Sequence, residues 1–345
     1  MEGASFMNQH IGKQSIKFKN PPSIVETASI VGKKEGEGPL YKYFDNILDD
    51  DYWGEDTWEK AESKLQKEAA KLVMRKSNIY DTDIEYILGG DLINQCVGAN
   101  YAMSGFDCSF FGLYGACSTM AESLSLGAII TSGGFAKHTL CITSSHFCTA
   151  EKQFRYPLEY GGQRTPTSQW TVTASGCAIL SNEGNGPYIT HITTGKIVDM
   201  GISDINNMGA AMAPAAADTL ITHFNDTGMK PTDYDLILTG DLGVVGSDIL
   251  CDILNQNGYD IYTQHKDAGK MIFDIDKQDV HAGGSGCGCC ASVFAGYVFK
   301  ELKKNSLNRV LVMATGALMN PMTVQQGSTI PGIAHAVSIS NKTEL

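Results

Sequence analysis

The segment Thr82–Leu92 (Thr-Asp-Ile-Glu-Tyr-Ile-Leu-Gly-Gly-Asp-Leu) returns at Thr232–Leu242 as Thr-Asp-Tyr-Asp-Leu-Ile-Leu-Thr-Gly-Asp-Leu. Thr, Asp, Ile, Leu, Gly, Asp and Leu recur in register, about 150 residues apart. A second echo links the run ending at Ser144 (Lys-His-Thr-Leu-Cys-Ile-Thr-Ser) to the run ending at Thr315 (Asn-Arg-Val-Leu-Val-Met-Ala-Thr). Two echoes in one order mark a duplicated chain, and a period this long excludes a solenoid. The duplication predicts two similar α/β halves packed about a pseudo-two-fold axis, divided as 1–186 and 187–345 at the Asn-Glu-Gly-Asn-Gly-Pro turn of 182–187.

Strands alternate with helices in both halves, which predicts a largely parallel, layered α/β fold. The strongest helix is Trp58–Arg75, with Trp58, Ala61, Leu65, Ala69 and Leu72 on one face and Glu and Lys opposite. Apolar runs at Ile84–Leu88, Ser109–Leu113 and Thr139–Ser145 read as strands of the first half. Leu236–Leu238, Val310–Ala314 and Ala334–Ile339 read as strands of the second. The region 147–169 lacks periodicity and reads as irregular.

With 345 residues, the chain can bury a large core. Its net charge of −12 argues against general nucleic-acid binding and against electrostatic adhesion to anionic lipid. No stretch reaches the roughly 18 apolar residues of a membrane span, and the N-terminus carries no secretory pattern. Ten cysteines are then expected to be reduced thiols of an intracellular protein.

Cys117 is the sharpest chemical candidate. It lies in the turn Gly-Ala-Cys-Ser-Thr at 115–119, after a short apolar run and before a helix at about 120–130. A thiol at a helix N-terminus is expected to be favoured as thiolate. Ser118 and Thr119 could offer donors there, or simply cap the helix. His146, at the end of a strand, stands where parallel α/β sheets place sites. The run Cys-Gly-Cys-Cys at 287–290 lacks the second pair of a zinc site and reads as small residues packing at the pseudo-symmetric turn. Acids at the strand starts (Glu85, Asp233, Asp235) read as solvated edges.

A duplicated α/β chain with Gly-Ala-Cys-Ser opening a buried helix resembles the thiolase and ketoacyl-synthase superfamily, whose cysteine attacks an acyl thioester with help from a second-half histidine and a further His or Asn. On that reading the candidates beside Cys117 are His281, in His-Ala-Gly-Gly-Ser-Gly, and His335, in Pro-Gly-Ile-Ala-His. No matching His-Gln-Ala-Asn segment exists, so the catalytic set is incomplete.

A longer set of motifs is more specific. It includes Gly-Asp-Leu-Ile-Asn-Gln (90–95), Ala-Glu-Lys-Gln-Phe-Arg-Tyr-Pro-Leu-Glu-Tyr-Gly-Gly-Gln (150–163), Met-Ala-Pro-Ala-Ala-Ala-Asp-Thr (212–219) and Thr-Ile-Pro-Gly-Ile-Ala-His (329–335). These resemble the stage V sporulation protein AD family, over roughly residues 13–339. The resemblance implies a non-catalytic, thiolase-like protein that binds dipicolinic acid, free or as its calcium chelate, and serves its uptake into the forespore. Two alternatives stay open: an acyltransferase of condensing type using Cys117 with His281 or His335, and a scaffold of a membrane transport complex. It also implies a peripheral place on the spore inner membrane among proteins of the same operon, and by superfamily analogy a homodimer. No cofactor is expected, with calcium only as a companion of bound dipicolinate.

A flat dicarboxylate calls for guanidinium groups and aromatic faces. Only four arginines occur, and Arg155 and Arg164 fall in the irregular segment beside Phe154, Tyr156 and Tyr160. The expected ligand set is therefore Cys117, Ser118, His146, Arg155, Tyr156, Arg164 and His335. Pairing of Arg155 with Glu151 or Glu159 is the structural alternative.

Overall fold

The computed structural model describes residues 9–154 and 164–343. Its principal elements, in chain order, begin with β1 Ser15–Lys17, β2 Ser23–Val31, α1 Trp58–Ser77, β3 Tyr86–Gly90, α2 Val97–Met103 and β4 Ser109–Gly112. There follow α3 Thr119–Ser132, β5 His138–Ser145, α4 Phe147–Phe154, β6 Ala174–Ser181, β7 Tyr188–Thr193, α5 Met208–Thr227 and β8 Leu236–Thr239. The chain then continues through α6 Gly243–Gln256, β9 His265–Asp267, α7 Cys287–Val293, a π turn at Phe294–Val298, α8 Phe299–Lys303, β10 Arg309–Ala317 and β11 Gly332–Ser340.

Hydrogen bonding carries the strands in the order β9-β8-β10-β11-β7-β2-β6-β5-β3-β4. The order repeats itself outward from the β7–β2 centre: β11 answers β6, β10 answers β5, β8 answers β3 and β9 answers β4. This is the pseudo-two-fold that the sequence echoes imply. β7 and β2 meet at one residue pair, Tyr188 with Ser23, so the centre is a seam between two five-stranded halves.

The sheets are mixed where a largely parallel one was expected. β4, β3 and β5 run parallel, as do β9, β8 and β10, but β6 and β11 pair antiparallel with both neighbours. The strand β2, with no counterpart among the sequence-based strands, supplies the first half's innermost position. Its alternation is blurred because seven of its nine residues are buried.

Two helices form the central layer. α3 packs on β3 and β5 of its own half and on β10 and β11 of the other, while α7 packs on β2, β5 and β6 of the first half and against α3. Such helices must be apolar or small on every side. All seven residues of α7 are buried, including Cys287, Cys289 and Cys290. Gly176 of β6 lets the backbone of α7 approach at Ala291. The packing reading of the cysteine run thus has a concrete setting, and among the described residues no cluster of His, Cys, Asp and Glu is arranged to hold a metal ion.

α1 covers the outer face of the first half, and its buried stripe differs from the expected one. Ala61, Leu65 and Ala69 are buried, but so are Glu62, Gln66, Ala70 and Val73, whereas Leu72 is half-buried. Glu62 is buried because it accepts hydrogen bonds from Ser144 Oγ (3.2 Å) and Thr149 Oγ1 (2.6 Å), and burial beside Asp91 pushes its carboxyl up. The acids at the strand starts are clips rather than free edges: Glu85 accepts from His138 N, and Asp235 from Asn308 N and Arg309 N. Among the described residues no helix is long and apolar enough to cross a membrane.

Candidate functional site

Asp91 and Asp241, the shared acids of the duplicated segment, lie just past the carboxyl ends of β3 and β8, where α/β sheets place ligands. Both are fully buried, yet their partners differ. Asp91 accepts from Ile93 N (2.7 Å) and Ala99 N (2.6 Å), closing its own turn onto α2. Asp241 instead reaches distant elements: Thr315 Oγ1 (2.7 Å) at the end of β10, and Ser285 Oγ and Gly286 N (both 2.9 Å) at the start of α7.

Facing Asp241 from the first half is Cys117. Ala116 before it holds a left-handed backbone (φ 50), rare for a residue with a β-carbon and costing about 1–3 kcal/mol. The strained turn is held shut because Ser118 Oγ donates to Gly115 O (2.7 Å), Thr119 Oγ1 donates to Ala116 O (2.6 Å) and Gly115 N donates to Thr119 Oγ1 (3.0 Å). It projects Cys117 toward Ser285, with Sγ 3.8 Å from Oγ.

The thiolate expectation for Cys117 is overturned. Burial, then the negative charge of Asp241, push the thiol well above its ordinary value, and these outweigh the helix start at Thr119. Ser118, expected to offer a donor, spends its hydroxyl inside the turn and is fully buried.

Cys117 opens into a cavity between the halves. Leu92, Tyr114, Ala116, Ala150 and Phe154 line it from the first half, and Ile205, Met208, Met212, Ala317 and Met319 from the second. Ser168, Gln169, Thr171, Asn206 and Ser285 give it polar points, and Glu151 is its one charged lining residue among those described. Gln169 is locked by its amide Nε2, which donates to Asp241 O (2.7 Å) and Gly284 O (2.8 Å).

The other expected site residues do not converge here. The His146 ring is buried and satisfied: Nδ1 accepts from Cys148 N (3.2 Å), which leaves Nε2 to donate to Asp51 O (2.8 Å). His335 lies within β11, not at its start, and its Nδ1 accepts from Gly195 N (3.2 Å). His281 pairs with Asp279 at 3.3 Å. None of the three lines the cavity. Arg164 also lies outside it, paired with Asp279 (3.0 Å) and stacked on Trp170, 4.4 Å from the ring centroid. Arg155, Tyr156 and Tyr160 fall outside the described residues. Their chain neighbour Phe154 ends α4, so the start of the expected irregular region is helical and its last turn forms cavity wall.

Sequence reasoning missed Asp241 and Ser285 as partners of the thiol, and Gln169 and Thr315 as partners of Asp241. One signal was present, the recurrence of Asp just past the matching strands. The halves of a mixed five-stranded sheet with a shared central helix layer, and the cysteine on a strained turn, define a thiolase-like protein. Solved structures with this fold include 3-oxoacyl-[acyl-carrier-protein] synthase III of Aquifex aeolicus (TM-score 0.55, 14% identical, 92% of this chain and 99% of that one) and OleA of Xanthomonas campestris (TM-score 0.60, 11% identical, 94% and 97%). The profile of the stage V sporulation protein AD family matches residues 12–340, and stage V sporulation protein AD of Bacillus subtilis is 47% identical over 326 residues, 94% of this chain and 96% of the relative. The chain belongs to the stage V sporulation protein AD family, and its role lies in sporulation.

Proposed function

We propose that this protein binds dipicolinate in the Cys117 cavity, without acyl transfer, and serves its uptake into the developing spore. It would act as a peripheral protein of the spore inner membrane beside other proteins of the stage V sporulation A operon. The observation that carries the non-catalytic reading is the company of the thiol: no histidine lines the cavity beside Cys117 among the described residues. An acyl-transfer cysteine needs a base to take its proton and donors for an oxyanion.

The cavity suits a flat aromatic guest. Its walls are mostly apolar side chains, and of its polar points Ser168, Gln169 and Ser285 are held by hydrogen bonds. Two carboxylates also need positive charge, and the described lining contains no arginine, lysine or histidine. That charge would come from Arg155, one residue beyond cavity-lining Phe154, or from calcium carried with the ligand. Calorimetric titration with dipicolinate, with and without calcium, against an isomeric pyridine dicarboxylate tests this. Saturable, isomer-selective binding that Arg155→Ala abolishes is expected, and absence of heat under both conditions would reject the reading.

We also propose a homodimer built on the edge strand β4. Its outer edge carries no strand partner among the described residues, and Phe111 on it and Tyr101 on the neighbouring α2 are 50% and 72% exposed. Sedimentation at micromolar concentration should give a dimer that Phe111→Arg converts to monomer. A monomeric wild type would dismiss this surface.

A further inference from the structure

A cavity that only binds an aromatic guest needs walls and a few polar points; it does not need a fully buried carboxylate behind its thiol. Asp241 is such a group, and the hydrogen bonds its side chain accepts among the described residues come from neutral donors. Its donors are Ser285 Oγ, Gly286 N and Thr315 Oγ1, and it also interacts directly with the Cys117 thiol. Burial pushes the Asp241 carboxyl up, and these donors pull it back toward its ionised form, which only accepts. The hydrogen of Ser285 is committed to Asp241 Oδ2, so the single thiol hydrogen of Cys117 has two acceptors within reach, the Asp241 carboxylate and the serine oxygen 3.8 Å from Sγ.

We propose that Asp241, working with Ser285, is a positioning residue that holds Cys117 as a neutral hydrogen-bond donor and so silences it as a nucleophile. The physical reason is charge. A thiolate here would sit in a buried site against the Asp241 carboxylate, where repulsion is screened far less than in water. Among the described residues and without ligand, the remaining titratable groups near the thiol do not offset this: Tyr114, Cys287 and Cys289 are neutral when protonated, and Glu151 on the cavity wall is an acid. Burial and Asp241 act in the same direction on the thiol. The consequence for the cavity is that its inner end presents a neutral thiol where the same turn could have presented S⁻.

This inference concerns the thiol alone and does not depend on which ligand enters, so a failed dipicolinate titration leaves it standing and its own failure leaves that titration unaffected. The test is the pH profile of iodoacetamide alkylation on the full chain, read at the Cys117 peptide by mass spectrometry because half-buried Cys108 and Cys148 will also take label. Wild-type Cys117 should react with a midpoint well above the roughly 8.5 of a free thiol. Asp241→Asn, which keeps the shape and can donate to sulfur, should lower that midpoint by at least about one unit, making alkylation about tenfold faster at pH 8. A wild-type midpoint at or below the free-thiol value would overturn the proposal without any variant. So would an Asp241→Asn protein with a native circular dichroism spectrum and an unchanged profile.

Discussion

Valine at Gly176 is expected to cost on the order of 3 kcal/mol or more of stability, read as a lowered denaturant midpoint. Gly176 lies in β6, with Ser29 of β2 on one side and Thr143 of β5 on the other, so the strand cannot shift outward. A β-carbon there would run into the carbonyl of Ala291 and come within 2.8 Å of Ser292 N. These are backbone atoms of α7, which a rotamer change cannot move. Nor can the helix retreat, since it is buried on all sides between the first-half strands and α3. The glycine sets the distance between sheet and central helix, and through Ser285 and Gly286 at the start of α7 it also sets the distance from Asp241 to the thiol. An unfolding free energy within about 0.5 kcal/mol of wild type would mean that the central layer is far more compliant than its packing implies.

The second large effect is expected at the cavity itself. Ala317, the last residue of β10, is buried and lines the cavity opposite the Cys117 turn. A phenyl ring in place of its methyl group would occupy the space proposed for dipicolinate. Ala317→Phe should therefore weaken binding by about 100-fold, equivalent to about 2.7 kcal/mol, while the melting temperature stays within about 3 °C. Calorimetry on the folded variant decides it. Unchanged affinity would place the ligand elsewhere on the molecule, whereas loss of affinity with an intact melt would fix the site between the two halves.

Much of this architecture was legible in the chain. The echo of Thr82–Leu92 in Thr232–Leu242 marked equivalent strands, and these became β3 and β8 at matching places in the two sheets. The helix beginning near Trp58 and the turn carrying Cys117 were local features, fixed by apolar spacing and by the short residues of Gly-Ala-Cys-Ser. Other features were hidden for local reasons. β2 is buried along most of its length, so its burial pattern carries no simple alternation. β6 and β11 pair antiparallel because of how the chain returns, which side-chain pattern does not encode.

The site shows the division most clearly. Sequence by itself determined that two aspartates would stand just past equivalent strands and that a cysteine would open the central helix of the first half. Only the tertiary structure decided that Asp91 would close its own loop while Asp241 would meet Cys117, Ser285 and Thr315. Hydrogen bonds to Ile93 and Ala99 lie within eight residues of Asp91 and follow from the local turn. Those of Asp241 span 44 to 74 residues, and Cys117 belongs to the other half altogether. The state of that thiol depends on burial and on a charge brought in by the packing of one half against the other. Both are set by distances across the seam, and no periodicity along the chain records those distances.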